Sequence, residues 1–298
     1  MPEPQAGQKT GDEMPDPKDL QAKKRLGAVS FLNTKPLIYG IENNLVAHNF
    51  ELIKAIPSLL AVDLIAGKLD VGLIPSIAYA KNSPMLRIVP ECGIIAHGAV
   101  NSIRLYFNKD LRKIRTVALD ISSMTSVVLT KIILAERYEV KPDFIVAQPD
   151  VKRMLASADA ALVIGDSALF KTESAGTGYL DLADEWYDMT GLPFVFAVWA
   201  GKSGALTLDD TQAVISSKIL GLDNMDKVCT AAAEEYNTDF ELVKSYLTDN
   251  IQFNLGEEEI AGMRQYFELA YYHGALEYQP LLNFYPLESP AEESPSRN

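Results

Sequence analysis

Strand-like and helix-like segments alternate along the first half of the chain, and this alternation limits its possible folds more than any other feature. From residue 26 to about residue 148, short runs of branched apolar residues are followed by segments with apolar residues at three- and four-residue spacing. Such a pattern is typical of α/β proteins with largely parallel sheets. The predicted strands are residues 26–29, 70–74, 103–108, 116–119 and 160–164, and the predicted helices are residues 57–66, 124–138 and 150–156.

Two stretches of this region are similar to each other. They are "LLAVDLIAGKLDVGLIPS" around Asp70 and "MLASADAALVIGDS" around Asp159, and each contains a helix end, an aspartate and a strand of small and branched residues. Each is preceded by a strand and a polar turn that leads into a helix. We therefore predict two similar α/β lobes, although any two βαβ units could share this much pattern.

The chain changes character after residue 200. Residues 208–222, 226–236, 239–247 and 257–275 all have the periodicity of helices. Since helices cannot form a sheet of their own, we expect them to pack back onto the first lobe. The chain would then cross between the lobes twice, near residues 107–112 and 195–200, with a ligand cleft between the lobes.

This interpretation divides the chain into four parts, one of which is discontinuous. They are a disordered leader at 1–24, a first lobe formed by 25–108 and 201–287, a second lobe at 109–200 and a disordered tail at 288–298. The leader and the tail are rich in proline and charge and poor in apolar residues.

Composition excludes several classes of function. The net charge of −13 and the pI near 4.7 argue against nucleic acid as a partner. The leader has no apolar core of a signal peptide, and we expect a cytoplasmic protein that does not enter a membrane. The two cysteines and three histidines have no spacing that suggests a metal site, and no glycine-rich phosphate motif suggests a nucleotide cofactor.

The segment "ALDISSMTSVVL" is the most informative local signal. A buried strand ends in it, hydroxyl residues including Ser123, Thr125 and Ser126 follow, and an apolar helix begins at once. Free N–H groups and the partial positive charge of a helix N-terminus bind a carboxylate or phosphate without lysine or arginine. The alternative is plain N-capping by one serine or threonine, but capping needs only one hydroxyl.

Further polar residues occupy turns next to predicted strands. Ser30 and Asn33 lie in the strand-to-helix turn of "VSFLNTKPL", and Ser76 ends the strand in "GLIPS", at the edge where α/β sheets bind ligands. Asp166 holds a comparable place in "VIGDSAL", where capping of the next helix is the favoured interpretation. Ser102 precedes a strand, and no Gly-x-Ser-x-Gly elbow marks it as a nucleophile.

Taken together, the motifs resemble the chorismate dehydratases of the futalosine route to menaquinone. The resemblance extends from residue 26 to residue 200 and rests on "VSFLNTKPLIYGIE", "PSLLAVDLIAGKLDVGLIPSIAY", "GIIAHGAVNSIRLY", "TVALDISSMTSVVLTKIIL", "DAALVIGDSAL" and "TGLPFVFAVWA". The related family that makes 1,4-dihydroxy-6-naphthoate shares the fold. Its first motif typically runs Ser-Pro-Cys-Pro-Asn-Asp-Thr, whereas this chain has "SFLNTKPL", which favours the dehydratase.

The resemblance implies the α/β, two-lobed periplasmic-binding-protein-like (type 2) fold, with the active site in the cleft between the lobes and a helical C-terminal segment. It implies that Asn33 and Ser102 are the functional polar residues. It also implies that the substrate is chorismate, a dicarboxylate, which loses water to give 3-[(1-carboxyvinyl)oxy]benzoate without a metal or another cofactor.

The matched motifs offer amides and hydroxyls but no evident base. Our hypothesis is that the enolpyruvyl carboxylate of the substrate takes the proton, while Asn33 and Ser102 hold the reactive conformer. The residues that would bind the substrate are Ser30, Ser76, Ser123, Thr125, Ser126 and Asp166. The rival interpretations are a non-catalytic solute-binding protein, since the fold does not imply catalysis, and the related naphthoate enzyme.

Overall fold

Strands of two sheets form the framework of the protein, which is described by a computed structural model for residues 22–170 and 178–288. The strands are β1 (Lys24–Val29), β2 (Phe50–Ala55), β3 (Val71–Pro75), β4 (Leu86–Ala96), β5 (Ile103–Phe107), β6 (Thr116–Asp120), β7 (Asp143–Ala147), β8 (Ala160–Ile164), β9 (Gly178–Asp181) and β10 (Phe194–Lys202). The first sheet has the order β2-β1-β3-β10-β4 and the second has the order β7-β6-β8-β5-β9.

Helices cover and connect these sheets. They are α1 (Lys35–Glu42), α2 (Pro57–Ile65), α3 (Ser76–Lys81), α4 (Thr125–Glu136), α5 (Val151–Ser157), α6 (Asp166–Phe170), α7 (Leu182–Thr190), α8 (Leu208–Asp223), α9 (Met225–Tyr236), α10 (Phe240–Ser245) and α11 (Glu257–Tyr272). We call each sheet with its helices a lobe. The prediction of an α/β protein with helices after residue 200 is confirmed.

The two sheets are built in the same way, as the similar sequence segments predict. In each sheet three neighbouring strands run parallel, and the fourth strand of the order is antiparallel to its neighbours. The central strands β3 and β8 are buried along their whole length. Strands covered on both faces are continuous apolar runs, which is why the sequence reveals them.

The points where the chain crosses between the lobes differ from the prediction. Strand β5 pairs with β8 in the second sheet, and β10 pairs with β3 in the first. The crossings are therefore residues 97–102 and 182–193, instead of 107–112 and 195–200, so the predicted lobe boundaries are wrong at both places. The polar residues after β5, which resemble a linker, form a turn within the second lobe.

Asp181 ties the two crossings together. Its carboxylate accepts hydrogen bonds from the backbone N–H groups of Val100 (3.1 Å) and Asn101 (2.6 Å) in the first crossing and from that of Ala183 (3.1 Å) in the second. Asn101 has a φ of 61°, a left-handed conformation that asparagine adopts more readily than most residues. The two chain segments between the lobes therefore lie side by side.

The predicted leader and tail fall largely outside the described residues. Residues 1–21 and 289–298 are not described, and Lys24, which the leader includes, already belongs to β1.

The C-terminal helices pack onto the first lobe as expected. Helix α8 lies against α1, where the Ser217 hydroxyl accepts a hydrogen bond from the Ile41 N–H at 3.0 Å. The approach is so close that a Cβ atom on Gly221 would lie 1.9 Å from the Pro36 carbonyl oxygen. Helix α11 contacts β10 and α3 of the first lobe and α4 of the second.

We expect Gly221→Ala to lower the free energy of unfolding by about 1–3 kcal/mol, because its methyl group would force α8 away from α1. Urea denaturation measures this loss. Ile219→Ala, at an exposed position of the same helix, is the control and should change stability little. An unchanged urea midpoint for Gly221→Ala would show that α8 can move away from α1 with little loss of stability.

Candidate active site

A cavity that opens to solvent lies between the two lobes, at the carboxyl ends of β1, β3 and β8. Most of the lining is apolar, with Phe31, Met124 and Phe196 among the larger side chains. The predicted residues that line it are Asn33, Ser102, Ser123, Thr125 and Ser126.

No acidic, basic or histidine side chain belongs to the described lining of this cavity. His97 lies in the first crossing with its ring against Tyr187, at a centroid distance of 4.7 Å, and does not line the cavity. The described residues contain no group of three or more histidine, cysteine, aspartate or glutamate side chains that could hold a metal ion. The polar groups that face the cavity are therefore neutral.

Asn33 and Ser102 are joined by a third residue, Tyr246. The Asn33 Nδ2 group donates a hydrogen bond to the Tyr246 Oη atom at 3.2 Å, and the Tyr246 hydroxyl donates to the Ser102 Oγ atom at 2.9 Å. Asn33 lies in the 3₁₀ turn Leu32–Thr34 after β1, and Ser102 ends the first crossing. Burial raises the pKa of Tyr246 well above its usual value, so the hydroxyl stays a neutral donor.

The N-terminus of α4 forms another wall of the cavity. Met124 occupies the N-cap position, and no side chain caps the helix. Within the described residues, the backbone N–H groups of Thr125 and Ser126 have no acceptor. The Ser123 hydroxyl is buried beside them without a partner in the structure. These groups form the uncapped helix end that an anion needs, and plain N-capping does not describe it.

Two other hydroxyl groups of this segment, those of Ser122 and Thr125, are already bonded. Ser122 donates to the Asp120 carboxylate at 2.6 Å, and the Thr125 hydroxyl donates to the Phe196 carbonyl oxygen at 3.1 Å. Thr125 can therefore offer its N–H group to a ligand, while its side chain fixes the helix to β10 of the first lobe. Ser126 also lines the cavity at the first turn of α4.

The structure does not bring Ser30, Ser76 or Asp166 into the cavity lining. Ser30 is exposed, and its N–H group donates to the Ala55 carbonyl oxygen at 3.0 Å. Ser76 is fully buried behind the wall, with its Oγ atom 3.4 Å from the Thr125 Oγ1 atom. These two serines belong to the strand ends that support the cavity rather than to its surface.

Asp166 joins the two lobes beside the cavity. Its Oδ1 atom accepts a hydrogen bond from the Leu32 N–H group of the first lobe at 3.0 Å. Burial raises the pKa of the Asp166 carboxyl, an effect opposed by the hydrogen bonds from Leu32 and from the Tyr236 hydroxyl. At the preceding residue, a Cβ atom on Gly165 would lie 2.7 Å from the Phe31 ring. The lobes therefore meet closely on this side.

Sequence reasoning did not predict that Tyr246 lies between Asn33 and Ser102. It is separated from Ser102 by 144 positions and from Asn33 by 213 positions, in a segment whose pattern indicates only a helix. Its one structural peculiarity is that it begins a π-helical turn, Tyr246–Asn250. Such turns are common at functional sites, but a single sequence does not reveal them.

Comparison with known proteins identifies the family of the chain. A family model described as menaquinone biosynthesis matches residues 24–272. The chain belongs to this family. A chorismate dehydratase of Thermus thermophilus is 28% identical over 88% of this chain and 98% of its own length. A chorismate dehydratase of Campylobacter jejuni is 30% identical over 57% of this chain and 64% of its own length.

Solved structures confirm the expected two-lobed fold. An Archaeoglobus fulgidus protein superposes with a TM-score of 0.69 at 18% identity, and covers 86% of this chain and 100% of its own. The periplasmic aliphatic sulphonate binding protein of Escherichia coli superposes with a TM-score of 0.62 at 13% identity, over 87% of this chain and 95% of its own. At these identities the likeness shows the fold alone. No helix among the described residues is long and apolar enough to cross a membrane.

The Asp166 carboxyl should make stability depend on pH. Because its pKa is raised in the folded chain, the folded state binds this proton more tightly than the unfolded state does. The resulting stabilisation is complete below the usual value of 3.8 and is lost as the pH rises through the raised folded pKa. Asp166→Asn removes this titration and keeps an oxygen that can accept from Leu32.

The melting temperature of Asp166→Asn relative to the wild type should therefore rise as the pH increases from about 4 to about 7. Thermal denaturation at a series of pH values measures the difference. A difference that is constant over this range, or that falls as the pH rises, would contradict the assignment.

Proposed function

We propose that this protein is a chorismate dehydratase, an enzyme that converts chorismate to 3-[(1-carboxyvinyl)oxy]benzoate and water. The observation that supports this most directly is the placement of Asn33, Ser102 and an uncapped helix N-terminus around one cavity between the lobes. Family membership and the two chorismate dehydratase relatives support the same reaction.

The substrate carries two carboxylates, and the cavity offers neutral donors to hold them. The N–H groups of Thr125 and Ser126 and the Ser123 hydroxyl would bind one carboxylate at the positive end of the α4 dipole. This local field matters because the protein has a net charge of −13, which repels an anion at long range. The apolar walls exclude water and strengthen these hydrogen bonds.

The reaction requires a base at the ring carbon that bears the ether oxygen. The described lining contains no carboxylate, histidine or lysine. In the proposed mechanism the enolpyruvyl carboxylate of chorismate removes this proton. The electron pair of the C–H bond forms the new ring double bond, and the C–O bond of the hydroxyl group on the neighbouring ring carbon breaks. The hydroxyl group takes up the proton that the carboxylate removed and leaves as water, and the carboxylate is regenerated. Aromatisation of the ring drives the step.

Asn33 and Ser102 would act by positioning. They lie close together, because both are hydrogen-bonded to the Tyr246 hydroxyl, and would hold the conformer in which the side-chain carboxylate reaches the ring proton. Positioning of this kind contributes several kcal/mol, with an upper range of about 7–11 kcal/mol. It also explains how a site of amides and hydroxyls could catalyse proton transfer at neutral pH.

We expect the purified protein to convert chorismate to an aromatic product that is lighter by one water, followed by ultraviolet absorption and mass spectrometry. Asn33→Ala should lower kcat by about 100-fold or more, the usual cost of removing one preorganised hydrogen-bonding group. Asn43→Ala, which removes an exposed amide at the end of α1, is the matched control and should retain activity.

The rival interpretations predict other outcomes. A solute-binding protein would bind chorismate and leave it unchanged, whereas the related naphthoate enzyme would neither bind nor consume it. Equal loss of activity in Asn33→Ala and Asn43→Ala would show that Asn33 has no specific role in the reaction.

The unpartnered Ser123 hydroxyl should contribute to substrate binding. A hydrogen bond to a charged group contributes about 1.5–3 kcal/mol, so Ser123→Ala should raise KM for chorismate about tenfold or more. Ser157→Ala in α5, remote from the cavity, is the control. Steady-state kinetics measures both variants. An unchanged KM for Ser123→Ala would mean that the carboxylate does not reach this hydroxyl.

A further inference from the structure

Tyr246 enters the site from the C-terminal helical segment and not from either sheet. Its side chain is 2% exposed, and its hydroxyl lies between Asn33 and Ser102. The π-helical turn that begins with Tyr246 is also held at its other end, because the Asn250 Nδ2 group donates to the Ala99 carbonyl oxygen at 3.0 Å. The turn is thus fixed at two points to the crossing that carries Ser102.

The directions of these hydrogen bonds determine what Ser102 can do. A tyrosine hydroxyl has one proton, and here it is donated to the Ser102 Oγ atom. The oxygen of the same hydroxyl accepts from Asn33. Ser102 therefore uses its oxygen as an acceptor toward Tyr246, and its own proton remains free. No described acceptor takes that proton, and Ser102 lines the cavity.

We propose that Tyr246 is a positioning residue that holds Ser102 as a hydrogen-bond donor to the bound substrate and fixes the amide plane of Asn33 at the same time. The proposal rests on the proposed dehydratase function and adds a residue to it. Without the tyrosine hydroxyl, the Ser102 Oγ atom loses its donor, and the Ser102 hydroxyl can rotate away from the substrate. Asn33 loses the partner that orients its amide.

Tyr246→Phe tests this role, because it keeps the buried ring and removes only the hydroxyl. We expect kcat for chorismate to fall about 10- to 100-fold while KM changes less than about threefold. The matched control is Tyr285→Phe, which removes the hydroxyl of another buried tyrosine, bonded to the Lys202 carbonyl oxygen far from the cavity. Tyr285→Phe should keep wild-type kcat, and thermal denaturation of both variants separates a loss of fold from a loss of position.

A double-mutant cycle with Ser102→Ala shows whether Tyr246 acts through Ser102. If it does, Tyr246→Phe should lower kcat by a much smaller factor in the Ser102→Ala background than in the wild type, because Ser102→Ala has already removed the oriented donor. A wild-type kcat for Tyr246→Phe, or independent effects that multiply in the double variant, would overturn the role of Tyr246 while the dehydratase assignment stands.

Different results would show that the proposed function is wrong. If the wild-type protein binds chorismate in calorimetry but does not convert it, the dehydratase assignment is wrong, and the same cycle measured on Kd decides the role of Tyr246. Coupling between Tyr246→Phe and Ser102→Ala in Kd would support the orientation of Ser102 toward a ligand. Absence of both conversion and binding would overturn both proposals.

Discussion

The attachment of the α4 N-terminus to the first lobe is the interaction on which the site depends. The Thr125 hydroxyl donates to the Phe196 carbonyl oxygen of β10, and the Tyr266 hydroxyl of α11 donates to the Thr125 carbonyl oxygen at 3.0 Å. These bonds occupy the side chain and the carbonyl group of Thr125 and leave its N–H group toward the cavity. A helix of the second lobe therefore presents its positive end to a space that strand ends of both lobes line. Asp166 and Asp181 hold the lobes and crossings around that space.

The electrostatic design suits an anionic substrate in an acidic protein. Fixed lysine or arginine charges would bind a dicarboxylate strongly, but the described lining has none. In place of such charges, the site has backbone N–H groups, one unpartnered hydroxyl and the hydrogen-bonded residues Asn33, Tyr246 and Ser102. Both an ion pair and backbone N–H hydrogen bonds lower the pKa of a carboxyl group, so a carboxylate that acts as the base would be one that the α4 N-terminus does not hold. The absence of charge from the described wall is thus consistent with a substrate that supplies its own base.

Much of this arrangement could be predicted from the sequence, because continuous apolar runs mark β1, β3 and β8, and the hydroxyl-rich turn marks the start of α4. The crossings could not be placed, since pairing partners decide which sheet β5 and β10 join, and a polar turn within one lobe resembles a linker between two. The predicted contact residues Ser30, Ser76 and Asp166 lie at strand ends near the cavity, but local pattern does not tell whether a side chain points into a space or behind its wall. Tyr246 was out of reach because only tertiary packing of the C-terminal helices brings it to Asn33 and Ser102.

In the proposed complex, the N-terminus of α4 holds one substrate carboxylate, and the ring lies against Asn33 and Ser102. A crystal structure of Asn33→Ala with chorismate bound tests it most directly, because slow turnover would keep the substrate intact. We expect a carboxylate oxygen within hydrogen-bonding distance of the Thr125 and Ser126 N–H groups, with the Ser102 hydroxyl donating to the same ligand. Chorismate bound outside this cavity, or inside it with both carboxylates away from α4, would contradict this binding mode.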